Sequence, residues 1–322
     1  MAVRLYAQAP HPVTEILHNF TAGTDGIVPF AGLTAGKNGI LYGATEFGGA
    51  GTGCTDPIGC GAVFELVPPP YLGAAWSENV IYGFSRYSYP LASPTVGAGG
   101  KLYGSAYYGG KNSVGSVYEL TPPSSPGGTW TETDLYDFSA SEGDPQNPEA
   151  GLVIGKDGVL YGTVQFAGTS PNCPYTFSSE YGCGGVFSLT PPKSPGGSWR
   201  EQMLYTFTSV PDALYPAAGP VVASDGAIYG TTRDGGDAGS CPQNPGCGVV
   251  FKLTPPSQSG EAWRADILYR FMADQAFTPT AGVVIGTDGN LFGTTLYGGA
   301  PTTTCPGGCG AVFEVKLNQA NN

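Results

Sequence analysis

A chain of 322 residues with 25 Asp plus Glu against 13 Lys plus Arg has a net charge of −12, which repels a nucleic-acid phosphate backbone rather than steering it in. With 52 Gly, 29 Pro and 19 Tyr but only 12% charged residues, it reads as many short strands joined by tight turns. No window sustains helical apolar spacing, and no stretch of about 18 apolar residues could span a membrane.

From the N-terminus, residues 1–12 form an extension. Ala7-Gln8-Ala9 has the small-residue character of a signal-peptide end without the apolar region before it. Glu15-Ile16-Leu17-His18-Asn19-Phe20 then has a strand pattern that recurs later as Glu201 to Phe207. The main signal begins at Leu41-Tyr42-Gly43. It returns as Leu102-Tyr103-Gly104, Leu160-Tyr161-Gly162, Ile228-Tyr229-Gly230 and Leu291-Phe292-Gly293, with glycines 61, 58, 68 and 63 residues apart. A period near 60 residues fits one propeller blade.

Each unit reads as four strands. An innermost strand follows Pro-x-Ala (Pro29, Pro90, Pro148, Pro216, Pro279) and ends in a tight turn such as Asn38-Gly39 or Asp157-Gly158. The Leu-Tyr-Gly segment is second. The third is Ala62 to Leu66 and its copies, stopped in four units by Pro-Pro because proline cannot donate to a ladder. The fourth opens with Trp76, Trp130, Trp199 or Trp263 and closes on Tyr-x-Phe, as in Tyr205-Thr206-Phe207. The last unit lacks a Trp-initiated strand, so Val13 to Phe20 is expected to complete it and close the ring. The prediction is an all-β, five-bladed β-propeller with four-stranded blades at 29–84, 90–138, 148–207, 216–271 and 279–317 plus 13–20, and a tail at 318–322. Exchange of the N-terminal strand with a neighbouring molecule is the rival arrangement.

Eight cysteines form four close pairs: Cys54/Cys60, Cys173/Cys183, Cys241/Cys247 and Cys305/Cys309. Local disulfides and an oxidising, extracellular location are expected. Zinc is the competing reading. It would need ligands from different blades, with only His11 and His18 to supplement them.

The unit "D-G-x-L-Y-G-T-T…G-G…G-x-V-F-x-L-T-P", clearest in Asp225 to Pro255 and Asp288 to Val315, resembles the Gloeo/Verruco-type tandem repeat, GloVer. The resemblance covers residues 13–317. It implies a secreted or surface bacterial protein and brings no biochemical activity with it.

The second-to-third loops and inter-blade links share one face, which collects the long variable segments and every cysteine pair. Such loops on a rigid scaffold are where function concentrates. This face carries 11 acids, including Glu46, Glu149 and Asp237, against Arg86, Lys111 and Arg233. Asp25, Asp144, Asp212 and Asp274 precede the repeat prolines and are candidate Ca²⁺ ligands if they converge; Asx-turns within each loop are the alternative. Phe47, Tyr107, Tyr108, Phe166 and Tyr297 begin the loops, with Asp234 breaking the series. With Tyr175, Phe177 and Tyr181 of the longest loop they are candidate sugar contacts, or else wedges between blades.

An extracellular, non-catalytic module binding carbohydrate or another cell-surface ligand is the first expectation. A structural protein assembled by propeller stacking or strand exchange is the second. A glycoside hydrolase using Glu142, Asp144 and Asp212 is the third, weakened because no inner strand carries an acid. A Ser-His-Asp arrangement and phosphate loops find no support in the spacing of His and Gly residues.

Overall fold

In the computed structural model the described residues are 15–317, apart from 52–53, 55–57, 72, 86–87, 126, 140, 142, 171, 174–181, 195, 238, 240, 242–244, 259 and 306. They form five antiparallel blades. Blade 1 holds β1 (Thr34–Ala35), β2 (Leu41–Thr45), β3 (Ala62–Val67) and β4 (Ser77–Gly83). Blade 2 holds β5 (Thr95–Val96), β6 (Leu102–Ala106), β7 (Ser116–Thr121) and β8 (Thr131–Asp137). Blade 3 holds β9 (Val153–Ile154), β10 (Leu160–Val164), β11 (Gly185–Thr190) and β12 (Arg200–Thr206). The link strand β13 (Ala213–Leu214) precedes blade 4, made of β14 (Val221–Val222), β15 (Ile228–Thr232), β17 (Val249–Thr254) and β18 (Arg264–Arg270); β13 pairs with β16 (Asp234–Gly235). A second link strand, β19 (Ala276–Phe277), pairs with β22 (Tyr297–Gly298) beside blade 5, made of β20 (Val284–Ile285), β21 (Leu291–Thr295) and β23 (Ala311–Val315).

The turns chosen by the sequence explain this meander. Asn38 and Gly39 have φ of 57° and 78°, and Asp157 and Gly158 of 56° and 75°, the paired left-handed geometry of a tight hairpin. The third and fourth strands pair with one bulge each, between Val117 and Tyr118 in blade 2. The bulge twists the outer strand and keeps Glu132, Asp134 and Asp137 on one face, opposite Leu120, Tyr118 and Ser116.

Four apolar clusters fill the four interfaces between successive blades. Val63 and Phe84 of blade 1, for example, pack with Leu102, Tyr118 and Leu120 of blade 2. The aromatic closing each fourth strand meets the third strand of the next blade edge-on: Phe84–Tyr118 at 5.0 Å, Phe138–Phe187 at 5.2 Å, Phe207–Phe251 at 5.3 Å and Phe271–Phe313 at 5.0 Å between centroids. Such edge-to-face pairs each add about 1 kcal/mol to the burial itself.

A backbone clasp repeats beside this packing. The residue before each repeat proline has left-handed φ: Val28, Tyr89, Asn147, Tyr215 and Thr278. In the last four, the N–H donates to the preceding blade, at Cys60, Val114, Cys183 and Cys247. All five carbonyls accept from the start of their own blade's loop, as Val28 does from Glu46 and Tyr89 from Tyr107. All four expected disulfides are present. Three of them therefore brace a loop whose carbonyl holds the next blade, and none of these cysteines is free to bind zinc.

One expectation is corrected. Val13 and Thr14 lie outside the described residues, and Glu15 to Phe20 form no strand. The fifth sheet has three strands among the described residues, in the order β20-β21-β23. The N-terminal segment instead lies against blade 1. Phe20 meets Phe64 edge-on at 5.1 Å, as each fourth-strand Phe meets the following blade, and His18 stands where the other blades have Tyr. The segment thus occupies a fourth-strand position relative to blade 1 without pairing to β23. That pairing would require β23 to lie alongside it, and Val312 of β23 is 80% exposed.

Candidate functional site between the first two blades

The loop aromatics face the inter-blade links. The backbone of Phe47 bridges Ile27, and that of Phe166 bridges Gln146, so the start of each loop is tied to a link. Their rings follow: Phe47 lies 5.1 Å from Tyr89, Phe166 lies 5.6 Å from Tyr215, and Tyr297 stacks on Phe277 at 5.2 Å. Tyr107 donates its hydroxyl to Gln165 in blade 3. Asp234 is fully buried with Arg233 at 3.2 Å, and that guanidinium sits 5.4 Å over the Tyr215 ring. Phe47, Tyr107 and Tyr108 thus gather around Tyr89 at the first junction, Phe166 and Asp234 around Tyr215 at a later one, and Tyr297 lies at a third. Tyr175, Phe177, Tyr181 and Glu142 lie outside the described residues.

The aspartates before the prolines are likewise separate. Asp25 accepts from the Thr21 N–H and hydroxyl, both at 2.9 Å, and these bonds hold its carboxyl below the usual range. Asp212 accepts from the same two groups of Thr208, at 3.0 and 3.2 Å, and from the Tyr205 hydroxyl at 3.2 Å. Burial nevertheless raises the Asp212 pKa, and burial together with Asp212 pushes Tyr205 up to about 12. Asp144 is half-buried and Asp274 exposed. Among the described residues no three His, Cys, Asp or Glu side chains come together as a metal site.

The structure draws attention instead to a cleft of about 880 Å³ between the outer strands of blades 1 and 2. It is lined by Tyr82 of β4 and Phe84 just beyond it, Glu132 and Asp134 of β8, and the loop residues Ser88, Tyr89, Tyr108 and Lys111, among others. Of the sequence-predicted contacts among the described residues, Tyr108 alone lines it, edge-on to Tyr107 at 4.7 Å and to Tyr89 at 5.7 Å.

Blade 2 departs from its siblings at this place. Across the ladder, Phe64 faces Val80, Phe187 faces Met203 and Phe251 faces Ile267; here Tyr118 faces Asp134. An apolar pair has become a phenol and a carboxylate. Tyr118 is fully buried, and its hydroxyl finds no hydrogen-bond partner among the described residues. Burial drives its pKa far upward, so it stays neutral.

Glu132 lies 3.5 Å from the Tyr82 hydroxyl, at the limit of a hydrogen bond. Burial first, and then the adjacent Asp134, raises it to about 7. Asp134 is raised too, by burial and by Asp137, against the pull of Lys111. The two carboxyls lie on one face of β8 and raise each other's cost of ionising, so Glu132 is the one that keeps its proton toward neutral pH. Lys111 completes the charge on the rim, with Nζ 3.1 Å from Asp137. Among the described residues the cleft thus offers stacking faces, a pair of neighbouring acids, hydroxyls and one cation. Sequence reading missed Glu132, Asp134 and Tyr82. The available signal was Asp134 standing where the other fourth strands have Val, Met or Ile.

These features define a β-propeller repeat protein with disulfide-braced loops and an acidic inter-blade cleft. The model of the Gloeobacter/Verrucomicrobia repeat matches residues 5–175, and the chain belongs to that family. No curated protein matches the sequence. Among solved structures, a protein of unknown function from Dyadobacter fermentans DSM 18053 is similar at 12% identity and TM-score 0.46, over 82% of this chain and 73% of that one. Trypanosoma rangeli sialidase in complex with sialic acid is similar at 13% identity and TM-score 0.44, over 84% of this chain and 44% of its own. A PL25 polysaccharide lyase, an ulvan lyase, is similar at 10% identity and TM-score 0.45, over 81% and 65%. At such scores the likeness lends nothing to the chemistry of this chain.

Proposed function

We propose that the protein is a secreted binding module that takes a carbohydrate in the cleft between β4 and β8. The observation that carries this is the replacement, in blade 2 alone of the four blades with a described fourth strand, of the repeat's apolar pair by Tyr118 and Asp134 beside Glu132. A repeat that gives up apolar packing at one blade loses stability there, which fits a site kept for binding. Sugar hydroxyls both donate and accept, and a half-protonated carboxyl pair presents both partners at neutral pH. Tyr82, Tyr89 and Tyr108 supply faces for the apolar side of a pyranose ring. Four disulfides fit the oxidising exterior in which such ligands are met. No helix among the described residues is long and apolar enough to cross a membrane.

Hydrolysis by this acid pair is disfavoured. Glycosidases set their two carboxyls on either side of the scissile bond, whereas Glu132 and Asp134 share one face of a single strand, β8. A glycan array followed by titration calorimetry with the strongest binder tests the proposal. Asp134→Asn and Tyr82→Ala should each weaken binding at least tenfold. Binding to no glycan, or affinity untouched by both substitutions, removes it.

A further inference from the structure

The fold repeats one interface four times and leaves both halves of a fifth unmade. Val63, Val117, Val186 and Val250, the second residues of the first four third strands, are all 0% exposed against the next blade, whereas Val312 at the same place in β23 is 80% exposed. On the opposite side of a blade, Leu152 and Val283 are about 5% exposed, and their blade 1 counterpart Leu33 is 49% exposed. The backbone agrees. Tyr89, Asn147, Tyr215 and Thr278 each donate an N–H to the preceding blade, but among the described residues the N–H of Val28 makes no such bond, and Cys309, which stands where Cys60, Cys183 and Cys247 accept, receives none. A third feature points the same way. His18 and Phe20 lie on blade 1 as the end of a preceding fourth strand would, while β23 lacks a fourth-strand neighbour among the described residues.

We propose that the blade 5 face of one molecule docks on the blade 1 face of a second copy, head to tail, reproducing the internal interface. Val312 enters against Leu33, the Val28 N–H reaches the Cys309 carbonyl, and residues 15–20 of the second copy extend the sheet beyond β23 as its fourth strand. The occupant is a copy of this chain because the missing partner of each face is present on the other end of the same molecule, already shaped for it. Within one molecule the two faces stand apart, as the exposure of Val312 and Leu33 shows. Pairing of this heterologous kind closes as a ring or grows as a filament according to the angle between copies.

The test is light-scattering mass on the full chain and two variants, each checked for folding by circular dichroism. The wild type should run above the monomer mass with a concentration-dependent average. Val312→Asp disables one face and Leu33→Asp the other, so each variant alone should be monomeric. Mixed, they still hold one intact face each and should form a dimer and nothing larger. A monomeric wild type at the highest soluble concentration, assembly that survives both substitutions, or a mixture that stays monomeric overturns the proposal.

Discussion

Asp134 stands directly across the β7–β8 ladder from Tyr118, where three other blades place an aliphatic side chain across from Phe. The Tyr118 hydroxyl is buried without a hydrogen bond, and a buried unsatisfied hydroxyl costs about 1–3 kcal/mol. Tyr118→Phe should therefore raise stability by roughly 1 kcal/mol, and adding Asp134→Val, at an exposed position, should change it little further. Urea unfolding reads this as a higher midpoint at unchanged slope. The double variant should also lose the ligand. A stabilised variant that still binds would separate the cleft from the proposed role.

Glu132 keeps its proton to about pH 7 in the folded chain, against an ordinary value of 4.5. Between those values the folded state binds more protons than the unfolded one, so stability falls as pH rises. The advantage is complete below pH 4.5 and gone above 7. Because the carboxyl is only half-buried and screened by water, its size is of order 1 kcal/mol. Glu132→Gln should flatten the change in urea midpoint between pH 5 and pH 8 and leave the variant the more stable of the two at pH 8.

The Cys54–Cys60 bridge closes a loop whose Cys60 carbonyl accepts from the Tyr89 N–H of the next blade. Loop closure alone assigns about 2 kcal/mol to each of these short bridges. Cys54→Ser with Cys60→Ser should cost more than that, because the clasp to blade 2 loosens as well. Cys305→Ser with Cys309→Ser removes a bridge whose Cys309 carbonyl holds no further blade of its own molecule among the described residues, and should cost the monomer less. Equal losses in melting temperature would show that the clasp carries no stability.

Gly61 follows the same clasp with φ of 96°, and a Cβ there would fall 2.4 Å from Pro90 Cδ and 2.9 Å from two carbonyl oxygens. Both the left-handed backbone and the contact disfavour any side chain. Gly61→Ala should destabilise the protein by about 2 kcal/mol or more, measured in the same urea assay.

Much of this architecture was written locally and was therefore legible. The Asn38-Gly39 turn, the Pro-Pro stops and the cysteine spacings each depend on neighbours within a few residues. The repeated Tyr-Gly and Trp positions then extend that local information around the molecule. The aromatic loop starts were legible as a series, but their direction was not. Phe47 and Phe166 are turned toward the links by backbone bridges to Ile27 and Gln146, which no periodicity reveals. Left-handed residues before proline, such as Tyr89, run against the extended preference of pre-proline positions. The cleft was hidden for a related reason. Its acids lie on an outer strand whose bulge decides which side chains share a face, so Glu132 and Asp134 read as solvated strand residues until the register between Val117 and Tyr118 is known. The N-terminal segment was recognised as fourth-strand material, but its own blade 5 was not the sheet it lies against.

The most direct test of a carbohydrate site between the first two blades is a crystal structure of the protein soaked with the oligosaccharide that binds best in solution. A sugar ring should lie in the cleft, stacked on Tyr82 or Tyr108, with hydroxyls on Glu132 and Asp134. Ordered sugar at another blade junction, with this cleft holding only water, would contradict the account.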